Sequence, residues 1–329
     1  MSYILGESVQ MGVGNETTRG TAVSPTDFIP ARTASNIQKV VEKTIIKEGR
    51  ATKYGSYGTE ITHARGEGEL EFNVKSRTFG YFLKSLLGTV SSATKAGETV
   101  VYEHTFGILT GTPQNPTITI GLSQQGFQDY AYNGAMVTKL ELEAPIDDVV
   151  KAKASFISRD ETEVSDYTVA FANDDHYFRN YDFKVKMADT LGGLTGATPI
   201  ALKEFKLSLA NNSKANHVIS SITPDDVLAG LAEIGGSMTI DYTGKENYDA
   251  YKNNTAKYMQ IEMTNTSETI GTSANPKIVI TLYRVSLTSY KADRPLDEIV
   301  TEQIEFNAHY SQSDAKAIQV VLTNTKATY

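Results

Sequence analysis

Between Gly66 and Gly88 the apolar positions change period once. Leu70, Phe72 and Val74 alternate with Glu67, Glu69, Glu71, Asn73 and Lys75, the period of two that a half-buried strand requires. From Phe79 the period is helical: Phe79, Phe82, Leu83, Leu86 and Leu87 form one apolar stripe. Ser76 is the expected N-cap, and Gly88 the left-handed residue that stops the helix. A helix this short is marginal alone, so its stripe must be buried against a sheet.

The second half of the chain repeats this unit. Gly235-Gly236-Ser-Met238-Thr-Ile240-Asp241-Tyr242 is again a glycine-led alternating run, aligned here as Gly66 with Gly236, Leu70 with Ile240 and Phe72 with Tyr242. Thr243 to Glu246 has the form of a capping box, and Tyr248 and Tyr251 fall where Phe79 and Phe82 fall. Asn115-Pro116-Thr-Ile118-Thr-Ile120 pairs with Asn275-Pro276-Lys-Ile278-Val-Ile280, and Pro145 to Val150 with Pro295 to Val300. The offset between partners shrinks in order along the chain, as expected for a duplication whose loops shortened.

Residues 1–35 are rich in Gly, Thr, Ser and Pro without periodicity and are expected to form an extended arm. Residues 36–165 form a first module, with strands expected near 37–47, 99–106, 116–122, 135–143 and 148–158. A polar loop spans 48–59, and unstructured loops of that length tend to be functional. Residues 166–200 are a join with an opening hairpin: Phe183 to Met187 reads as a strand and Gly192 to Gly196 as its tip. Residues 201–329 form a second module, with strands near 204–209, 276–283, 285–291, 299–310 and 316–323 and a loop at 212–226. The expected fold is mainly β, two tandem sandwich or barrel modules, each with one short flanking α-helix.

Composition narrows the function. The 329 residues suit about two domains. There is no cysteine, hence no disulfide, thiolate nucleophile or cysteine-ligated zinc. The opening MSYILGESVQMG lacks the basic and apolar regions of a signal peptide. No stretch approaches the ~18–20 apolar residues of a membrane span. A net charge of −8 argues against a surface that grips nucleic acid through phosphates.

Catalytic arrangements do not emerge. The histidines at 63, 104, 176, 217 and 309 lack metal-ligand spacing, Gly244-Lys245 lacks the preceding glycine of a P-loop, and no Gly-x-Ser-x-Gly occurs. Asp174-Asp175-His176 could bind a cation but reads better as a solvated linker. Glu69/Glu71 and Glu141/Glu143 lie at i and i+2 of strands, so each pair shares one polar face. The 18 tyrosines raise a stacking surface, against which core packing is the commoner explanation.

Gly14-Asn-Glu16-Thr17-Thr-Arg-Gly20-Thr21-Ala resembles the start of tail tube proteins of long-tailed bacteriophages. The glycine-led strand, the short helix ending Leu86-Leu87-Gly88 and the Asn133-Gly-Ala-x-Val137 segment are also similar to that family. The resemblance implies β-sandwich modules with a flanking helix, joined as six-module rings around a channel and stacked through loops and arms. Most members carry one module per chain and form hexamers; a two-module chain would restore the six modules as a ring of three chains, with a homotrimer or a homohexamer per ring both open. It also implies a virion protein made in the host cytoplasm, with DNA passing through unbound, and no cofactor, membrane or enzymatic role. Tape measure, tail-terminator and distal tail proteins are the expected partners besides copies of itself.

On that reading Glu67, Glu69, Glu71 and Asp241, with Glu141 and Glu143, line the lumen as an acidic surface that repels the DNA backbone. Lys53, Tyr54 and Tyr57, and Asn212, Lys214 and Asp225 in the second loop, are the expected ring-to-ring contacts, together with the arm. The tube of a secretion device or tailocin is a related reading. A β-sandwich adhesin or virion decoration protein, and a β-sandwich glycosidase with distant paired carboxylates, also remain open at this point.

Overall fold

The computed structural model describes residues 5–111, 114–124 and 126–329. Strands take up 53% and helices 8%, so the mainly-β expectation holds, although no barrel closes within one chain. In the first half the strands are β1 (Val9–Asn15), β2 (Asp27–Ile29), β3 (Ala31–Ile46) and β4 (Gly58–Asn73). Helix α1 (Phe79–Leu87) follows, then β5 (Gly88–Thr94), β6 (Tyr102–Ile108), β7 (Ile118–Gln124), β8 (Asp129–Ala144), β9 (Lys151–Ser158) and β10 (Asp160–Val164). The second half has β11 (Phe183–Ala188), β12 (Leu202–Ala210), β13 (Lys214–Asn216), β14 (Asp226–Leu228) and β15 (Glu233–Asp241). It continues with α2 (Glu246–Lys252), β16 (Lys257–Thr264), β17 (Lys277–Asp293), β18 (Thr301–Ala308) and β19 (Ile318–Asn324).

These strands form two layers over one core. The inner sheet runs β3-β4-β9-β8-β12-β15-β18-β17, all antiparallel. The long strands β8 and β17 leave it at their N-terminal ends to enter the outer layer. There β2-β1-β7-β8-β10 covers the first half, and β11-β16-β17-β19-β6-β5 covers the second. The second outer sheet thus takes its β5–β6 hairpin from the first half. One hydrophobic cluster fills both halves, including Leu70, Phe72, Leu140, Leu142, Phe156, Phe205, Met238, Ile240, Ile280 and Phe306.

The pairing pattern is traced twice, with three irregularities shared, while those at Ser35/Gln38 and Glu42/Lys43 occur in β3 alone. The bulge at Ala31/Thr33 against β4 recurs at Leu202/Glu204 against β15. That at Val137/Lys139 recurs at Leu287/Ser289, and that at Ile118/Ile120 at Lys257/Met259. Bulges mark fixed positions on a strand, so these three give the register between halves. Gly68, not Gly66, is then the counterpart of Gly236. Both glycines serve one purpose. A Cβ on Gly68 would lie 2.9 Å from the Phe156 ring, and one on Gly236 would lie 2.6 Å from the Phe306 ring. Each phenylalanine sits opposite its glycine on the neighbouring strand.

The sequence alignment of these strands is therefore two residues out, a slip that keeps every side chain on its proper face. The match of Asn115 with Asn275 is a coincidence: β7 corresponds to β16, whereas Asn275 precedes β17. The expected arm over 1–35 is not seen in its described part, residues 5–35. Met11 and Val13 are buried in β1, which pairs along its length with β7. The short β1, with its two glycines, hid the alternation of Val9, Met11 and Val13.

The helix ends also differ from expectation. Thr78, not Ser76, stands at the N-cap of α1 and makes no side-chain cap. The buried Asp175 caps from a distance instead, accepting from the Arg77 N–H (2.6 Å), the Thr78 N–H (3.3 Å) and the Thr78 hydroxyl (3.0 Å). Asp174 accepts from Arg77 at 2.7 Å, so the expected solvated linker is a structural clamp. Burial pushes the Asp175 carboxyl up, against those hydrogen bonds. Gly88 ends α1 at φ 99°, as read. Every α1 residue but Lys84 is buried, because strands surround the helix rather than meeting one stripe. In α2 no capping box forms and only Ala250 is buried; Tyr248 and Tyr251 are 45% and 38% exposed and stack on Tyr290 rather than entering a core.

Beside α1, the buried Asp27 accepts from Tyr81 (2.5 Å), Arg77 (2.7 Å) and Lys326 (2.9 Å). Burial alone would raise its pKa, but these three partners outweigh it and hold the carboxyl below its ordinary 3.8. A depressed carboxylate stabilises the fold above the unfolded-state pKa and loses that contribution as pH falls through the folded value. Stability should therefore decline below about pH 4. Asp27→Asn should lower stability at pH 7 by about 1–3 kcal/mol, since it takes the charged partner from the half-buried Lys326 and leaves the half-buried Arg77 with Asp174 alone, and should flatten the acid limb; urea unfolding across pH 2–7 checks both. Gly68→Val, crowding Ile37 and Phe156, and Gly236→Val, crowding the Lys206 carbonyl and Phe306, should each cost about 1–3 kcal/mol in the same assay.

Candidate assembly surface

One face of the inner sheet meets the core and the other is polar. Because strand side chains alternate, residues opposite one another across the ladder form rows on that polar face. One row reads Thr33, Glu71, Lys153, Glu141, Ser208, Gly235 and Asn307 from β3 to β18. The next reads Asn73, Lys151, Glu143, Lys206, Ser237, Glu305 and Ser289. All six acids expected to cluster, Glu67, Glu69, Glu71, Glu141, Glu143 and Asp241, do share this face. It is concave, and its central trough of about 640 Å³ is lined by Glu71, Glu141, Glu143, Lys151, Lys153, Lys206 and Glu305 among others.

The face is not the bare acidic surface the sequence reading expected. Lys153 lies 2.9 Å from Glu69, Lys139 lies 2.7 Å from Glu141, and Arg65 lies 3.2 Å from Glu67. Lys206 lies 2.8 Å from Glu204 and 3.6 Å from Glu143, and Lys203 lies 3.5 Å from Asp241. The hydrogen bond from Lys153 holds the Glu69 carboxyl below the usual range. The bond to Glu204 and the charge of Glu143 raise Lys206. Sequence reasoning missed these cations, although Lys139-Leu-Glu-Leu-Glu and Lys151-Ala-Lys-Ala-Ser show them in phase with the acids.

The two loops expected at ring contacts extend from one rim. The tip 47–57 joins β3 to β4 and exposes Lys53 and Tyr54, while Tyr57 stacks under Arg50 at 4.5 Å. Loop 211–232 joins β12 to β15 and carries the exposed Asn212, Lys214 and Asp225. It does not stand free, however. It folds back over the first half, with Arg19 on Asp226 at 2.8 Å, Arg159 donating to the Pro224 carbonyl at 3.0 Å, and the Ala64 N–H donating to the Ile222 carbonyl at 2.8 Å. His217 packs its ring 4.3 Å from that of His63. Burial and the neighbouring His63 and Arg65 push His217 below its ordinary pKa.

The Gly14–Thr21 segment has a structural purpose. Glu16 accepts from the Gly20 N–H (2.8 Å), the Gly134 N–H (2.7 Å) and the hydroxyls of Thr117 (2.5 Å) and Thr119 (2.9 Å). It thereby presents Arg19 to the returning loop. Among the described residues no group of three or more His, Cys, Asp or Glu could hold a metal ion, and no helix is long and apolar enough to cross a membrane.

A two-layer antiparallel fold with one charged, concave sheet face and, among the described residues, an unpaired inner-sheet edge at each end defines the class as a β-rich structural subunit. Over residues 6–308 the chain matches the family model of phage tail tube proteins, and it belongs to that family. No curated protein matches it. Membership makes it a structural component of the virion tail and implies homo-oligomeric assembly into a tube.

If Lys153 neutralises the face as the geometry indicates, Lys153→Met should raise the Glu69 pKa towards the ordinary carboxylate range. A pH titration of the side-chain carboxyl resonance by NMR checks this. Stability should change by less than about 1 kcal/mol, because the pair is solvent-exposed.

Proposed function

We propose that the chain self-assembles into stacked rings that form the tail tube, with the polar face of the inner sheet lining the channel for DNA. The observation that carries this is the inner sheet itself, with one face in the core, one charged and concave, and an unpaired edge at each end. Those edges are β3 and the Leu287–Asp293 end of β17, which among the described residues pair only with β4 and β18 on their other sides. Exposed edges invite pairing with another chain, and closing the ring removes them. Glu67, Glu69, Glu71, Glu141, Glu143 and Asp241 then face the lumen, interleaved with lysines.

Such a lattice of paired charges offers phosphates no continuous basic stripe. Counterion release therefore supplies little affinity, and double-stranded DNA passes without specific binding. The recurring bulges support two copies of one module per chain, so three chains supply the six modules of a ring. The first copy would begin at β1 and the second at β11, with the join lying between β10 and β11. Lys53, Tyr54, Tyr57, Asn212, Lys214 and Asp225 lie at one rim for contact with the next ring. The opposite rim exposes Ile146, Leu296 and Ile299, an apolar complement the sequence reading overlooked. At the tube ends the same rims would meet the tail-terminator and distal tail proteins, and the lumen would hold the tape measure protein. No catalytic role or cofactor belongs to this reading.

Negative-stain electron microscopy of the purified chain tests it. Rings or tubes with a central hole and three-fold class averages are expected. A monomer at high concentration, even when seeded with preformed tail tips, would overturn the proposal.

A further inference from the structure

The seam between the two halves shows, inside one chain, how one half meets the next. It has three parts. In the inner sheet β8 pairs with β12, Glu141 standing opposite Ser208. In the outer layer β6 pairs with β19, Phe106 standing opposite Val320. Beside the β8–β12 pairing, loop 211–232 of the second half lies across the first, and Asn211 donates to the Val137 carbonyl at 2.9 Å.

Two of these parts have counterparts at the chain's free ends. The end of β17 corresponds to the end of β8, and β3 corresponds to β12. The β3–β4 hairpin corresponds to the β12–β15 loop, and its strands project from the sheet with Val41, Ile45 and Ile61 exposed, below the tip. The third part has no counterpart. The β5–β6 hairpin, which reaches the neighbouring half, lies between α1 and β7, whereas α2 is followed by β16 after only the linker 253–256.

We propose that the interface between copies is this seam without its outer strand pair. β3 of one copy adds to the Leu287–Asp293 end of β17 of a second copy, and the β3–β4 hairpin lies across that copy's second half. The pairing of β3 with β4 sets the register, counted past one added residue at Ser35/Gln38 that β12 lacks. Lys291 takes the place of Glu141, and Gln38 takes the place of Ser208, because Gln38 pairs with Glu67 as Ser208 pairs with Gly235. Gln38 of one copy therefore stands opposite Lys291 of the next. The occupant is a second copy because the counterpart surfaces already fit one another within the chain. Seams then alternate around a ring, paired in both layers within a chain and in one layer between chains. The ring opens between copies before the fold is lost. This interface rests on the ring reading.

The cysteine-free chain allows a direct test. Gln38→Cys with Lys291→Cys places thiols opposite each other on neighbouring strands, within reach of a disulfide after small adjustment. Within one chain they lie at opposite ends of the inner sheet, on the order of 30 Å apart at the usual strand spacing, so an internal bond is ruled out. Oxidised assemblies should run on a non-reducing gel as a ladder ending at the closed ring. The out-of-register pair Gln38→Cys with Ser286→Cys should give at least tenfold less product. Rings visible by electron microscopy that fail to cross-link, or that cross-link better out of register, would overturn this seam and leave the ring reading intact. Failure to form rings would overturn both. In a urea titration followed by light scattering and circular dichroism, ring dissociation should precede unfolding. Coincident transitions would overturn the alternation of seams.

Discussion

Backbone hydrogen bonding at sheet edges governs this protein. An inner sheet can be buried on one face and wet on the other only if its terminal strands find partners, since unpaired N–H and C=O groups leave an adhesive edge. Inside the chain the problem is met at β8 and β12, where the two halves join their inner strands into a continuous sheet. Burial follows from that join. Leu142 and Leu207 stand opposite each other on the seam, and the core passes through it without a break. Any account of assembly has to treat the two remaining edges in the same terms.

The charged face follows from the same ladder. Antiparallel pairing sets acids of β4 and β8 on either side of lysines of β9, so Lys153 is raised by the Glu69 hydrogen bond and by the nearby Glu141 and Glu71. Each exposed pair is worth little on its own. Their collective effect is on the field: a wall of alternating sign has no long-range pull on a polyanion. An acid-only wall would repel DNA but would also repel itself across a closed ring, which the interleaved lysines avoid.

Much of this was legible in the sequence, and the failures have physical causes. Alternation located β4 and β15, and helical spacing placed the apolar stripe of α1 and its stop at Gly88, though not its N-cap, because both patterns are set by burial. Register was lost by two residues because period-two patterns cannot distinguish slips of two. The bulges and the Gly68–Phe156 and Gly236–Phe306 pairings that resolve it join positions far apart in sequence. Asp175 was read as solvated because its partners, Arg77 and Thr78, lie about a hundred residues upstream in a different element. The acids of the polar face were visible strand by strand, but their lysine partners belong to neighbouring strands, so the lattice required the ladder.

The two halves have diverged where their surroundings differ. α1 is enclosed because β5 and β6 wrap it on the way to the second half, and Phe79, Tyr81 and Phe82 are correspondingly buried. α2 has no such wrapping, and tyrosines stand at its surface, where a hydroxyl can remain in water. The same hairpin that encloses α1 supplies the second strand pairing of the in-chain seam. Core composition and seam strength are thus linked: without a hairpin between α2 and β16 the second half leaves α2 exposed and has no outer strand pair to offer a neighbour. A duplicated chain needs only one permanent seam, because a covalent link already holds its halves together. The other seam is free to be the one at which copies add.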